Sequence, residues 1–361
     1  MPLYTSSFSR KVPDDGLAKK LLLSLVAGAF IVVLAENIAR LKGLEPNVRD
    51  SAGLWASQRE LASDLGGGAV IIVGSSRSQL GIDLEVINRE LEKIPVQLSV
   101  DGSPFLEVLE NLAEDGDVAG SILVSAPIEK MFNKQERGKA GKWIDFYKSE
   151  FRGLWQPKIE EILKANLMSF SALYSSIVPP DLWPEILLGN RSIGANYLIT
   201  KTNRGRDADY TKVKMPMFYL QRGLRHFGRS VENNRFTSVS DFEKKVVAEV
   251  LKERNMLSIS ADDVSRLRNA LQKLTDRGVK VTLINFPKSG IVEKIDDIRY
   301  PKSTWIQAKK KLSISPLVTF IDYRDYENLD FECPDGSHID VSQKSQFTHE
   351  LLNVLIKEGA V

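Results

Sequence analysis

The sequence has few of the residues that thiol and metal chemistry require. Among its 361 residues there is one cysteine, Cys333, and there are three histidines, His226, His338 and His349. A single cysteine excludes an intrachain disulfide and a metal site built on several thiolates. The phosphate-binding motifs Gly-x-x-x-x-Gly-Lys and Gly-x-Gly-x-x-Gly do not occur. We therefore expect no metal and no cofactor, and any histidine chemistry must use one of three side chains.

The sequence also lacks a strong net charge. Its formal charge is +2, with 49 basic and 47 acidic residues. No overall field attracts nucleic acid, so we expect no nucleic acid partner. Hydrophobic residues make up 43% of the chain and charged residues 27%. These proportions are typical of a folded globular body rather than of a disordered chain.

Short apolar segments alternate with helical patterns in the first and last thirds of the chain. Predicted strands lie at 69–73, 95–100, 121–125, 279–285 and 317–322, and predicted helices at 83–93, 104–114, 261–276 and 341–357. Such alternation predicts an α/β fold with a parallel, doubly wound sheet of about five strands. In such sheets ligands bind at the carboxyl ends of the strands.

Residues 21–35 carry no charge and follow the pair Lys19 and Lys20. With the flanking apolar residues they predict a transmembrane anchor over 17–41, after a cytoplasmic tail at 1–16. The body then lies outside a bacterial cytoplasmic membrane, in the periplasm or its extracytoplasmic equivalent. Two alternatives stay open, a signal peptide cleaved near Ala35 and a buried helix. A linker and a lead-in helix are predicted over 42–68.

The strand–helix alternation stops between about 128 and 255, where we predict a large helical insertion into the α/β domain of 69–361. The stretch 201–235 within it is basic and interleaved with aromatics. Its Arg222, Arg225 and Arg229 suggest a surface for anionic polysaccharide or lipid headgroups. The alternative is a solvated, mobile loop.

Two short motifs carry candidate chemistry. Gly74-Ser75-Ser76-Arg77 directly follows the first strand, where a helix N-terminus offers backbone donors beside a serine nucleophile. The same serines would also fit a simple helix cap. Asp335 and His338 lie three residues apart before the last helix, a spacing that lets a carboxylate orient an imidazole.

Taken together, these motifs resemble the SGNH/GDSL hydrolase superfamily, and more closely its membrane-anchored branch that includes teichoic-acid D-alanylation and alginate O-acetylation proteins. The resemblance covers about 69–127 and 278–357 and implies an SGNH-like fold, with a flavodoxin-like sheet in three layers. It implies that Ser76 is the nucleophile, His338 the general base and Asp335 its orienting carboxylate. It also implies an oxyanion hole made by the backbone N–H groups of Ser76 and Gly102.

The sequence departs from the family pattern at two places. Ser75 replaces the usual aspartate before the nucleophile. The third block, usually Gly-x-Asn-Asp, reads Ser125-Ala126-Pro127-Ile128, so the asparagine oxyanion donor is missing. Loss of one such donor costs about 100- to 1,000-fold in rate. Arg77 or Ser103 would then have to assist, with Ser75 in support.

The resemblance implies a serine-dependent acyl transfer, as an O-acetyltransferase or acetylesterase, on a cell-surface or secreted polysaccharide such as an exopolysaccharide or a cell-wall polymer. Implied partners are the cytoplasmic membrane, the polysaccharide, and a membrane-bound O-acyltransferase or polysaccharide assembly proteins. The alternative is a catalytically degenerate scaffold or polysaccharide-binding component of an assembly machine, which the missing asparagine favours.

Overall fold

The computed structural model describes residues 16–131, 138–174, 184–185, 196–227, 238–252 and 261–361. Strands are β1 Ala69–Val73, β2 Ile94–Gln97, β3 Ser121–Ser125, β4 Leu198–Thr200, β5 Arg206–Ala208, β6 Lys280–Asn285 and β7 Val318–Asp322. Helices are Leu17–Leu41, Ala52–Leu65, Ser76–Gly81, Leu84–Leu91, Leu106–Ala113, Ile128–Met131, Lys139–Phe146, Trp155–Phe170, Met217–Phe227, Val239–Lys252, Ala261–Thr275, Gly290–Arg299, Lys302–Leu312 and Val341–Lys357. A π-helical turn covers Tyr147–Phe151, and short 3₁₀ turns cover Gly66–Gly68, Tyr210–Lys212, Tyr323–Asp325 and Glu327–Leu329.

Five strands form one parallel sheet in the order β2-β1-β3-β6-β7. All neighbouring pairs in it are parallel, and Ile71 of β1 lies opposite Val96 of β2 and Ile122 of β3. This is the flavodoxin-like order of doubly wound sheets, in which β1 and β3 flank the point where the chain reverses direction across the sheet. The predicted α/β fold with a parallel sheet of about five strands is confirmed.

Both faces of the sheet are covered by helices. Every residue of β1 is buried, and successive side chains point to opposite faces. Ile71 and Val73 join a core with Trp55 and the helix Ala261–Thr275, whereas Val70 and Ile72 join a core with the last helix. The sheet therefore lies between two apolar layers, which explains why its central strands are continuous β-branched runs rather than alternating ones.

The helix Leu17–Leu41 is long and apolar enough to cross a membrane. Its most apolar 18-residue window has a mean hydropathy of 2.3, and none of that window is buried in the protein. This indicates a single-pass anchor. The lead-in helix Ala52–Leu65 that follows is packed against the α/β body. Its Trp55 is fully buried, and the indole N–H donates to the carbonyl of Leu98 at 3.0 Å.

The chain between β3 and β6 forms the insertion, and it is not purely helical. It contains an antiparallel pair, β4 and β5, that the sequence analysis did not predict. The turn between them holds Arg204 at a φ of +61° with its side chain fully buried. Its guanidinium donates to the carbonyls of Gln97 (2.6 Å) and Ser99 (2.8 Å) and to Asp50 (2.7 Å). This part of the basic stretch is therefore fastened to the end of β2 rather than solvated.

Candidate active site

The turn after β1 places Ser76 at the first position of a helix, with Ser75 as the preceding cap residue. Gly74 is required there, because its φ is +153° and a Cβ atom would collide with Ser78 Oγ and Ser125 Cβ. The apolar strand thus ends in a turn that only glycine fits, and Ser76 follows at the carboxyl edge of the sheet.

The structure brings Ser76, His338 and Asp335 into one chain of contacts. Ser76 Oγ lies 2.8 Å from His338 Nε2, and His338 Nδ1 lies 2.8 Å from Asp335 Oδ2. His338 and Asp335 are both buried. With Nδ1–H donating to the carboxylate, Nε2 is left free to accept the serine proton. This is the geometry of a serine nucleophile with its general base and orienting acid.

Backbone and side-chain donors surround the Asp335 carboxylate. Its Oδ1 accepts from the N–H groups of Ser337 (3.0 Å) and His338 (2.9 Å). Its Oδ2 accepts from the Tyr210 hydroxyl at 2.7 Å, and Arg222 Nε lies 2.7 Å away as an ion pair. Tyr210 and Arg222 both come from the insertion. Two elements of the fold thus meet at this carboxylate.

The electrostatics favour an ionised aspartate and a neutral histidine. Burial alone would raise the pKa of Asp335, but the neighbouring His338 and Arg222 and the Ser337 N–H hold that pKa well below its usual value. Burial lowers the pKa of His338, and the positive charges of Arg222 and Arg77 lower it further, against the opposing effect of Asp335. A neutral imidazole is the form that can accept a proton from Ser76.

Backbone groups offer a partial site for an oxyanion. Ser76 and Gly102 line the same cavity, and neither backbone N–H has an acceptor within the part of the chain that the structure describes. The segment after β3 adds no donor. The N–H of Ala126 donates to the carbonyl of Ile284 at 2.9 Å, and Pro127, which lines the cavity, has no N–H.

The cavity in front of Ser76 has a volume of about 380 Å³. This lies near the lower end of the range for small-molecule sites. Its lining carries more basic than acidic side chains: Arg77, Lys130, Arg222, Arg299, Glu129 and Asp296. A cavity of this volume accommodates a small acyl group more readily than a long acyl chain.

The supporting residues named from the sequence have different surroundings. Arg77 Nη1 lies 3.6 Å from Glu129 Oε1, and its side chain lines the cavity. Ser103 Oγ accepts from the N–H of Ala140 at 3.1 Å, so it is a structural contact at the cavity wall. Ser75 also lines the cavity.

Of the three arginines predicted to form a polyanion surface, the structure describes the side chain of Arg222. It faces Asp335 and His338, because the helix Met217–Phe227 packs beside the loop that carries them. The helix includes Arg225, whose side chain lies outside the described residues, as does Arg229 altogether. Of the other histidines, His349 pairs with Glu90 at 3.0 Å on the surface.

Sequence analysis missed the contacts of Tyr210 and Arg222 with the candidate triad. Tyr210 lies 125 positions from Asp335, and Arg222 lies 116 positions from His338. Nothing in the local spacing of either residue signals the contact. A lone tyrosine after a turn aspartate and one arginine among several carry no pattern of their own.

No protein-family model matches the chain, and no curated protein matches it significantly in sequence. The geometry of this site and the motifs in the sequence are therefore what indicates a function.

Proposed function

We propose that this protein is a serine-dependent acyl-transfer enzyme of SGNH type that acts on a polysaccharide outside the cytoplasmic membrane. The observation that carries the proposal is the continuous contact from Ser76 Oγ through His338 to Asp335, with 2.8 Å at each step. Ser76 meets His338, 262 positions away, and Asp335 beside it, in the order that acyl transfer requires.

In the proposed reaction, Ser76 Oγ attacks the acyl carbonyl carbon while His338 Nε2 takes the serine proton. The N–H groups of Ser76 and Gly102 stabilise the oxyanion that forms. His338 then gives its proton to the departing oxygen, and the acyl group stays on Ser76 as an ester. A sugar hydroxyl or water, deprotonated by His338, attacks this ester and releases Ser76.

The volume of the cavity, about 380 Å³, favours a small acyl group, most simply acetyl, and the charged side chains at its wall favour a polar acceptor. The apolar helix, with Lys19 and Lys20 in its first turn, favours an extracytoplasmic body, where glycans are abundant hydroxyl acceptors. If the reaction is a transfer, acyl groups must cross the membrane, and a membrane-bound O-acyltransferase or a polysaccharide assembly protein is the proposed partner.

A labelling experiment with matched serines tests this proposal. Full-length protein in detergent is treated with a fluorescent fluorophosphonate, which modifies serines activated by a histidine. We expect labelling of the parent and of Ser75→Ala, and none of Ser76→Ala. Equal labelling of parent and Ser76→Ala, or no labelling of the folded parent, would contradict the enzymatic function.

The second candidate is a non-catalytic, polysaccharide-binding component that retains the fold. The segment Ser125-Ala126-Pro127 favours it, because neither Ala126 nor Pro127 can supply the third oxyanion donor. A scaffold would keep polysaccharide binding in Ser76→Ala and would show no turnover of an aryl acetate in the parent.

A further inference from the structure

The helix Trp155–Phe170 turns its apolar side away from the protein. Six large apolar side chains on it are about half exposed or more: Trp155, Ile159, Ile162, Leu163, Leu167 and Phe170. Their spacing of three, four and one residues puts them on one continuous face of the helix. Trp155 is 73% exposed and Phe170 is 74% exposed. Contiguous apolar surface of this kind marks an interaction site.

The side of this helix that faces the protein is polar and small. Glu161 is buried and accepts from Ser51 Oγ at 2.8 Å, and Lys158 pairs with Glu60 at 2.8 Å. Only Ala165 and Met168 add apolar contact, beside Val48 and Leu54. An ordinary surface helix has the opposite polarity, with its apolar stripe facing the core. The outward face therefore needs another apolar environment.

The end of this helix is joined to the end of the membrane-spanning helix. Arg40 donates to the carbonyl of Phe170 at 2.6 Å. Glu36 accepts from the N–H of Ala172 at 2.8 Å and from that of Leu173 at 3.1 Å. Because the end of a spanning helix lies at the membrane surface, these contacts hold Phe170 at the level of the interface.

We propose that the helix Trp155–Phe170 lies in the lipid–water interface of the leaflet where the spanning helix ends. Its apolar face contacts the upper acyl chains, with Trp155 and Phe170 at its two ends near the headgroups. Asn166, which also lies on the exposed side, donates its amide to the carbonyl of Ile162 at 2.8 Å, so it does not require water. Continuity with the anchor favours lipid as the occupant.

The functional consequence is a fixed orientation. A single spanning helix allows the body to rotate and tilt at the membrane. A second attachment through Trp155–Phe170, held to the lead-in helix Ala52–Leu65 by Glu161 and Lys158, sets the height and tilt of the whole α/β body. This inference concerns membrane contact, and it holds whether or not Ser76 is catalytic.

Spin-label accessibility in vesicles tests the inference, because the anchor keeps the protein membrane-bound in every variant. Ile162→Cys and Ile356→Cys form a matched pair, since the two isoleucines are 55% and 56% exposed on different helices. Each full-length variant is labelled with a nitroxide and reconstituted in phosphatidylcholine–phosphatidylglycerol vesicles at about one protein per vesicle. The parent serves as the labelling control, because Cys333 is buried.

For each label we compare the collision rate with oxygen to the collision rate with a water-soluble nickel chelate. We expect the ratio of oxygen to nickel collisions to be several-fold higher at position 162 than at position 356. Adding Leu163→Glu to Ile162→Cys should restore collisions with the nickel chelate. Equal nickel accessibility at 162 and 356 would overturn the inference. Shielding of position 162 from both reagents would also overturn it, since that pattern indicates a protein partner on this face.

Discussion

The sheet and the insertion contribute to the candidate site in different ways. The sheet positions the proposed reacting groups, because Ser76 and Gly102 follow strand ends and the loop with Asp335 and His338 precedes the last helix. The insertion provides Tyr210 and Arg222, which both contact the carboxylate of Asp335. Arg222 also lies beside the imidazole of His338. The insertion is also tied to the same loop through the Tyr210 N–H, which donates to Asp340 at 2.8 Å. The sheet thus brings the proposed nucleophile to its histidine, whereas the insertion contacts the carboxylate of Asp335 through Tyr210 and Arg222.

The largest effect should come from the residue where the two parts meet. We expect Asp335→Asn to lower turnover of an aryl acetate by about 10⁴-fold, because an amide neither fixes the histidine tautomer nor stabilises its cation. The measurement is steady-state turnover by the full-length protein. Asp330→Asn is the control, since Asp330 is exposed and does not line the cavity, and its turnover should stay within a few-fold of the parent. Turnover by Asp335→Asn above a tenth of the parent value would remove the triad mechanism.

Arg204 tests how firmly the insertion is fastened to the sheet. Arg204→Met leaves Asp50 and two strand-end carbonyls buried without their partner, so we expect the free energy of unfolding to fall by about 3–5 kcal/mol. Arg206→Met is the control. Arg206 pairs with Asp101 at 3.3 Å, and the Asp101 side chain is exposed, so the free energy of unfolding should fall by less than about 1 kcal/mol. Urea titrations in detergent measure the free energy of unfolding of both variants. Equal losses of stability would contradict the conclusion that Arg204 fastens the insertion to the sheet.

The ion pair between Arg204 and Asp50 should also make the stability of the protein depend on pH. Burial alone would raise the pKa of Asp50, but Arg204 and Gln79 hold that pKa below its usual value. A lowered carboxyl pKa stabilises the fold above the unfolded pKa, and this contribution is lost as pH falls through the folded pKa. The acid-dependent loss of stability should therefore be smaller in Arg204→Met than in the parent.

Tyr210 tests whether the insertion supports the carboxylate. Tyr210→Phe removes a hydroxyl that donates to Asp335 at 2.7 Å. A hydrogen bond to a charged group contributes about 1.5–3 kcal/mol, so we expect a loss of roughly 10-fold or more in turnover. Tyr197→Phe is the matched control in the same aromatic cluster, and it should keep turnover near the parent value. Equal effects of the two variants would assign the loss to packing.

Arg222 gives the smallest but most specific effect. Its positive charge lowers the pKa of His338, so Arg222→Met should raise that pKa and move the acidic limb of the pH–rate profile upward by about one pH unit. Arg222→Lys keeps a charge and should move the limb less. An unchanged limb in Arg222→Met, with turnover reduced at all pH values, would leave Arg222 with a purely structural role.

The part of the site that could be predicted from the sequence is the local part. A β-branched strand, a glycine and serines predict a strand–turn–helix unit at 69–81, because backbone preferences act over a few residues. Asp335 and His338 are three positions apart, so their loop alone brings them within reach. The pairing of this loop with Ser76 was inferred from a resemblance, since 262 positions separate Ser76 from His338.

The alternating strands and helices, the apolar segment 17–41 and the two short motifs follow from the sequence alone, because each depends on neighbouring residues. The contact of Arg222 with a buried carboxylate and the burial of Arg204 at the end of β2 depend on how distant segments pack. The outward side of the helix Trp155–Phe170 depends on the same packing. A periodic pattern identifies an apolar face, whereas the packing of distant segments sets what that face contacts.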